Sequence, residues 1–255
     1  MCFDKIKLFA FDLDGTLYKG ENLLTGAKEL ITFLRQEKYH VVFHTNASMK
    51  NPKQIAEKIN LLGINCDEID VFNPTRLAPD FLKKYEINNV YVIGSDSFKD
   101  ELVKNEINVI DSILADHVVV ALDPYFNYNK LSNALSIILK EGKLIIANRD
   151  NKYPVGNNWY LPGCGAIVSA IETAAGCNIC FEIGKPNIYM MEKISEQYNV
   201  NNDEIVVIGD SYDSDIQMAF NYKCKSILIE EEPSHNTNTK KVKNLQQLLM
   251  IIKNS

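Results

Sequence analysis

Short apolar runs alternate with stretches in which apolar positions recur at helical spacing, and the alternation holds along nearly the whole chain. Ile6–Phe11 reads as a buried strand, after which Ala27, Leu30, Ile31 and Leu34 mark one face of a helix. Val41–His44 is a second strand. A helix from about Pro52 carries Ile55, Ile59 and Leu62 on one face and closes at Gly63. A short strand at Ile69–Phe72 and a helix at Thr75–Tyr85 follow. From Asn88 the alternation starts afresh: Val90–Ile93, His117–Leu122 and Leu144–Ala147 as strands, Phe98–Val103 and Leu131–Leu139 as helices, with Gly142 closing the second. Asn148–Gly165, rich in Asn, Pro and Gly, is expected to be a loop, and Ala166–Ala175 a helix. Phe181–Ile183, a helix through Met191 and Ile194, the strand Ile205–Ile208, a short helix from Ile216, a last strand Lys225–Ile229 and a last helix Leu245–Ile252 complete the chain, with Glu230–Thr239 a polar and mobile connection. Such alternation predicts an α/β fold with parallel sheets covered on both faces, and about nine strands suit two α/β units better than one.

Composition narrows the setting. The chain has 255 residues, 46% hydrophobic and 24% charged, enough for one large domain or two modest ones. Its formal charge of -6 weighs against nucleic acid or an anionic membrane as the main partner. Asp4, Lys5 and Lys7 interrupt what would be the apolar part of a secretory signal. Gly163, Gly165, Glu172, Gly176 and Asn178 interrupt the weakly charged run Leu161–Phe181, so no spanning helix is expected there. Cys2, Cys66, Cys164, Cys177, Cys180 and Cys224 are scattered through a chain too large to need disulfides, which implies reduced thiols and a cytoplasmic location. Cys177 and Cys180 form a lone C-x-x-C without a second pair at zinc-ribbon spacing, and read as small buried hydrophobes. His40, His44, His117 and His235 show no metal-ligand spacing and are assigned no role.

Candidate chemistry gathers where strands end, the edge at which open α/β sheets bind ligands. Asp12 and Asp14 flank Leu13 at the end of the first strand, before a Gly15-Thr16 turn; side chains alternate along a strand, so the two acids are expected on one side. A hard cation takes such oxygens together with water and a substrate phosphate. Thr45-Asn46 follows the second strand and offers a hydroxyl and an amide, although both are also ordinary turn residues. Lys185, in Gly184-Lys185-Pro186, offers a cation ahead of a helix. Asp210, Asp213 and Asp215 follow the strand Ile205–Ile208, and three acids in so short a span are expensive to gather without a compensating cation. Helix capping explains Asp215 but not Asp210. Trp159 and Tyr160, in the expected loop, read first as core anchors and second as surfaces on which a substrate stacks.

These four stretches together resemble the motifs of the haloacid dehalogenase superfamily: Phe11-Asp-Leu-Asp-Gly-Thr-Leu17, His44-Thr-Asn46, Gly184-Lys-Pro186, and Gly209-Asp with Asp213-Ser-Asp-Ile216. Asn148-Arg-Asp150 and Leu161-Pro-Gly-Cys-Gly-Ala166 are similar to cap segments of its subclass IIA, the NagD-like, nitrophenylphosphatase and phosphoglycolate phosphatase relatives. The resemblance implies a Rossmann-like, doubly wound parallel-sheet core of 1–87 and 181–255, with an α/β cap inserted at 88–180. It implies a Mg²⁺-dependent phosphatase in which Asp12 is the nucleophile that becomes aspartyl-phosphate and Asp14 the acid and base. Asp12, the main-chain carbonyl of Asp14, and Asp210 would hold Mg²⁺. Thr45, Asn46 and Lys185 would bind phosphoryl oxygens, and Asp215 would orient the site from behind the ligands. Asn148, Arg149, Asp150, Trp159 and Cys164 are the substrate-loop candidates.

The chain departs from common relatives at Ala47, where many have a second Asn, and at Cys164 and the Lys152–Trp159 segment. These departures leave the chemistry intact and the substrate open among nucleotide monophosphates, phosphoglycolate, sugar phosphates and pyridoxal phosphate. The implied partner is a small phosphorylated metabolite, neither nucleic acid nor membrane, and cap-mediated dimerisation among relatives makes a homodimer compatible. A phosphotransferase or phosphomutase, and a catalytically silent binding protein using the cap surface, are the alternatives. Asp14, which supplies the acid and base of phosphate hydrolysis, weighs against a dehalogenase.

Overall fold

The fold is described from a computed structural model covering residues 3–156, 159–176, 181–230 and 239–254. It divides into two compact units, the first of Met1–Thr45, Ile55–Phe72 and Lys185–Ser255, the second of Asn46–Gln54 and Asn73–Gly184.

The first unit is built on a six-stranded parallel sheet in the order Lys240–Val242, Lys225–Ile229, Ile205–Gly209, Leu8–Asp12, His40–His44, Val71–Phe72. Leu8–Asp12 lies at its centre and is buried along its whole length, as a parallel strand covered on both faces must be. Its register sets Phe11 against Ile208 on one side and Asp12 against His44 on the other, so three strands end together. The helix Ala27–Gln36 buries Ala27, Leu30, Ile31 and Leu34, the face expected from their spacing. It packs against the helix Leu245–Lys253. Phe9, Phe11 and Phe43 are among the largest side chains in that core.

The second unit has a five-stranded parallel sheet in the order Phe181–Glu182, Leu144–Ile146, His117–Val120, Asn89–Ile93, Asn108–Val109. Helices at Pro74–Lys84, Asp96–Lys104, Tyr128–Ile138 and Cys164–Ala175 belong to it. Three of them start under side-chain caps: Asn73, Ser95 and Asn127 each accept a main-chain N–H of the first turn.

The structure departs from the sequence expectations in several places. Asn148–Gly165 is not a plain loop: Lys152–Gly156 and Trp159–Pro162 pair as an antiparallel hairpin, and the next helix already begins at Cys164. Pro154 and Gly156 sit inside the first of these strands beside a register shift, which hides the hairpin from a reading of turn residues. Core anchoring of Trp159 and Tyr160 is overturned, since they are 73% and 53% exposed. The strand expected at Ile69–Phe72 is shortened to Val71–Phe72 because the Asp67 carboxylate accepts the Ile69 N–H and winds Glu68–Asp70 into a helical turn. Lys225–Ile229 is not the last strand, for Lys240–Val242 pairs beyond it. Some residues of the expected core fall in the second compact unit. The helix Pro74–Lys84 falls in the second unit, where Phe81 and Tyr85 pack on Phe181. Residues 46–54 fall there too, with Ser95 and Thr75 donating to the Met49 and Ser48 carbonyls.

Cys66, Cys164 and Cys224 are free thiols, each pushed up to about 12 by burial. Cys2, Cys177, Cys180, His235 and most of the expected Glu230–Thr239 connection lie outside the described residues. Among the described residues no helix is long and apolar enough to cross a membrane.

Candidate active site

Asp12 is the last residue of the central strand, and the residue is 6% exposed. Taking a carboxylate out of water is costly unless a cation meets it. Lys185 does so: its Nζ donates to Asp12 Oδ1 at 2.6 Å and to Asp215 Oδ1 at 2.6 Å, and the lysine itself is 4% exposed. Burial acts to depress the Lys185 ammonium, but the two carboxylates overcome it and hold the group charged. Asp215 is fixed from its other oxygen, which accepts the Ser211 N–H at 3.2 Å. Its place in a helical turn over Tyr212–Ile216 follows from the chain bending straight off the strand Ile205–Gly209.

Asp14 is not on the strand. The Leu13 carbonyl accepts the N–H groups of Thr16, Leu17 and Tyr18, so the chain turns directly after Asp12 and the expected alternation of faces stops there. Asp14 is left 49% exposed, 3.9 Å from Lys58 Nζ and hydrogen-bonded by the Tyr18 hydroxyl. Lys58 also lies 3.7 Å from the centre of the Tyr18 ring. Burial, and the neighbouring Asp14 and Asp12 charges, keep that phenol protonated. Gly15 closes the turn with φ of 90°, and a Cβ there would stand 2.1 Å from Asp210 Oδ2, so only glycine lets the turn approach Asp210.

Asp210 accepts the Thr16 hydroxyl at 3.4 Å and is pushed up to about 6, by burial first and by Asp215 second. Asp12 is likewise raised, by burial above all, with Asp215 and Asp210 adding to it against Lys185. Two acids therefore share one ammonium, and a third adds its charge beside them. Asp12 and Asp215 are buried and Asp210 is exposed, so the surplus of negative charge opens toward solvent where a divalent cation would neutralise it, and Asp12, Asp210 and a main-chain carbonyl are the oxygen donors a hard cation takes. A second grouping, Asp12, His44 and Asp215, brings ligand atoms within 4.8 Å of one another. It does not fit a metal as well, because Lys185 already lies between Asp12 and Asp215.

His44 was assigned no role from sequence, yet it is fully buried with Nδ1 3.9 Å from Asp215 Oδ1. Burial first and the Lys185 charge second hold it neutral. Thr16, Tyr18 and Lys58 were also missed. The only signal for them was adjacency to Asp14, or helical spacing from Ile55.

Thr45 ends the first unit and is buried, its N–H donating to the Phe72 carbonyl at 3.0 Å. Asn46 begins the second unit. There its amide donates to Asp150 Oδ1 at 3.2 Å, and Asn148 donates to its carbonyl at 2.7 Å. Arg149 makes a two-point pair with Glu172, at 2.8 and 3.3 Å. Cys164 is buried with Sγ 3.6 Å from the Val120 carbonyl. Glu182, not singled out from sequence, is pushed up to about 7 by burial, with the Arg149 charge opposing.

The comparisons agree with these motifs. A family model for haloacid dehalogenase-like hydrolases matches residues 9–108, and one described as HAD-hydrolase-like matches residues 182–249. An acid sugar phosphatase of Staphylococcus saprophyticus is 31% identical over 225 residues, covering 88% of this chain and 86% of its own. The chain belongs to the haloacid dehalogenase-like hydrolases. Phosphoglycolate phosphatase 1A of Arabidopsis thaliana, a chloroplastic protein, is 31% identical over 250 residues, which cover 89% of this chain and 69% of its own. The crystal structure of a 4-nitrophenylphosphatase from Thermotoga maritima superposes with a TM-score of 0.89 at 27% identity, covering 97% of this hydrolase and 98% of that chain. Such neighbours set this hydrolase in the phosphatase subclass IIA of its superfamily, with the α/β fold of that group.

Proposed function

We propose that the chain is a Mg²⁺-dependent phosphomonoesterase for a small phosphorylated metabolite, working through an aspartyl-phosphate on Asp12. The observation that carries the reading is Lys185 bridging Asp12 and Asp215 at 2.6 Å each, beside Asp210. Lys185 anchors one oxygen of Asp12, and the carboxylate attacks phosphorus through the other. The phosphorus–ester oxygen bond breaks, and Asp14 delivers its proton to the leaving oxygen. Asp14, now ionised, takes a proton from water, whose oxygen attacks the same phosphorus. The acyl phosphate bond breaks, inorganic phosphate leaves and the Asp12 carboxylate is restored. Half exposure suits Asp14 to both proton transfers, and Lys58 and Tyr18 hold it in place.

Thr45, Asn46 and Lys185 are the groups proposed to bind phosphoryl oxygens, and Asp215 and Ser211 keep Lys185 aimed. Asp12, the Asp14 carbonyl and Asp210 would hold Mg²⁺, which when bound neutralises the charge gathered between carboxylates and phosphate. The functional division in this reading is a core of 1–87 and 181–255 with a cap of 88–180, drawn by role and not by the compact units. Trp159 and Arg149 are the exposed substrate-loop candidates, and the three free thiols support a cytoplasmic location. The names of the relatives make sugar phosphates, phosphoglycolate and aryl phosphates the first panel to screen.

The test is phosphate release from p-nitrophenyl phosphate with Mg²⁺ present and after its chelation. Activity should require the metal and fall at least about 10³-fold in Asp12→Asn. Wild-type turnover that survives chelation, or a fully active Asp12→Asn, would overturn the mechanism.

A further inference from the structure

Asn148 and Asp150 follow the strand Leu144–Ile146, where a substrate loop was expected. Their side chains are committed elsewhere. Asn148 is buried, and its amide is used at both ends: Nδ2 donates to the Asn46 carbonyl at 2.7 Å, and Oδ1 accepts the Asp150 N–H at 3.0 Å. Asp150 Oδ1 then accepts from Asn46 Nδ2 at 3.2 Å, which closes a ring of three residues. A carboxylate can only accept, so Asp150 fixes which way round the Asn46 amide stands. Asp150 is itself tied down, since its carbonyl accepts the Gly165 N–H at 2.9 Å and that of Asn151 accepts the Gly163 N–H at 2.8 Å. Both donors lie at the start of the helix Cys164–Ala175. On the remaining side is Gly184, where a Cβ would stand 2.5 Å from Asn46 Oδ1 and 2.5 Å from the Ala147 carbonyl. Asn46 is thus held through its main chain and its amide nitrogen, with its amide oxygen close against the Gly184 backbone.

We propose that Asn148 and Asp150 are positioning residues that preorganise Asn46 for a phosphoryl oxygen, rather than contacts to the organic part of the substrate. The proposal rests on the reading of Asn46 as a phosphoryl ligand. Its physical content is that an asparagine already locked in one rotamer and one amide orientation gives up less freedom on binding than one that must be ordered by the ligand.

Competitive inhibition by inorganic phosphate, with Mg²⁺ present, separates the two roles, because phosphate has no organic part to contact. Asn46→Ala and Asp150→Ala should each raise the phosphate inhibition constant about five- to tenfold, the worth of one hydrogen bond. The double variant should be no weaker than Asn46→Ala alone, since Asp150 acts through Asn46. Asp150→Asn keeps an acceptor for the Asn46 amide and should restore most of the affinity. If Asp150→Ala does not fold, Asn148→Asp gives the same test, removing the donor to the Asn46 carbonyl at nearly constant shape. The proposal is overturned if Asn46→Ala raises the phosphate constant while the Asp150 and Asn148 variants raise only KM for organic substrates, or if the double variant multiplies the single losses. An unchanged phosphate constant in Asn46→Ala itself would overturn the reading of Asn46, and this proposal with it.

Discussion

The large sheet of each unit is parallel, and in each an acid is buried at or just beyond a strand end, but the two acids live under different charge balances. In the second unit Asp123 follows the strand His117–Val120 and meets Lys130 at 2.5 Å, while its other oxygen accepts the Tyr125 N–H at 2.8 Å. One acid, one base and one main-chain donor leave nothing unbalanced. In the first unit Asp12 and Asp215 share the ammonium of Lys185, and the charge of Asp210 adds to theirs. Topology alone therefore does not make a site. A surplus of charge does, because it is tolerable only where a cation or a substrate completes it.

The contrast can be broken most forcefully at its cations. Lys185→Met leaves Asp12 and Asp215 buried without their shared partner, and is expected to destabilise by about 3–5 kcal/mol in urea unfolding, as stranded buried charges do. The same variant should lower kcat/KM by about 10²-fold or more, the usual loss for a preorganised charge-stabilising group. A stable and active Lys185→Met would show that the surplus is not what the lysine serves.

On the other side, Asp123→Ala removes a balanced pair whose lysine is free to swing into water. It should cost about 1–2 kcal/mol and leave kcat and KM for p-nitrophenyl phosphate within twofold, roughly. A large loss of activity without a loss of stability would mean that the second unit's acid is part of the chemistry after all.

A pH-dependent effect belongs to Glu182. The unfolded chain releases this proton near 4.5, whereas burial holds it in the folded protein to about 7. Between those values the folded state keeps a proton that the unfolded state has lost, so stability falls as pH rises through the interval and is level above it. Glu182→Gln has no proton to lose. Thermal unfolding should show the variant gaining on wild type between about pH 5 and about pH 8, with the gap fixed thereafter. A gap that does not change with pH would remove Glu182 from the account.

Much of the first unit is legible in the sequence, and the reason is local. Asp12 ends the strand Leu8–Asp12 and Asp210 directly follows the neighbouring strand Ile205–Gly209, and the stops of a parallel sheet meet along one edge. The helix Ala27–Gln36 was equally plain, since its buried positions repeat at helical spacing. What stayed hidden depends on partners that sequence spacing does not encode. The tie from Asn46 to Asp150 crosses 104 positions between two ordinary turn residues. His44 belongs to a buried strand and shows no ligand spacing, but parallel register sets it level with Asp12. The Lys152–Pro162 hairpin was obscured by Pro154 and Gly156, and Trp159 was misjudged because an aromatic residue in a polar stretch suggests a core anchor until its exposure is known.

The central claim is that Asp12 carries the phosphoryl group and Asp14 moves the protons. It is tested most directly by incubating Asp14→Asn with p-nitrophenyl phosphate and Mg²⁺, quenching in acid and measuring the mass of the peptide that contains Asp12. An activated aryl leaving group can depart without Asp14, whereas attack by water still needs it. The account predicts one phosphoryl group on that peptide, accumulating as nitrophenol release stalls. Steady nitrophenol release with no phosphorylated peptide, or a phosphoryl group on any other residue, would contradict it.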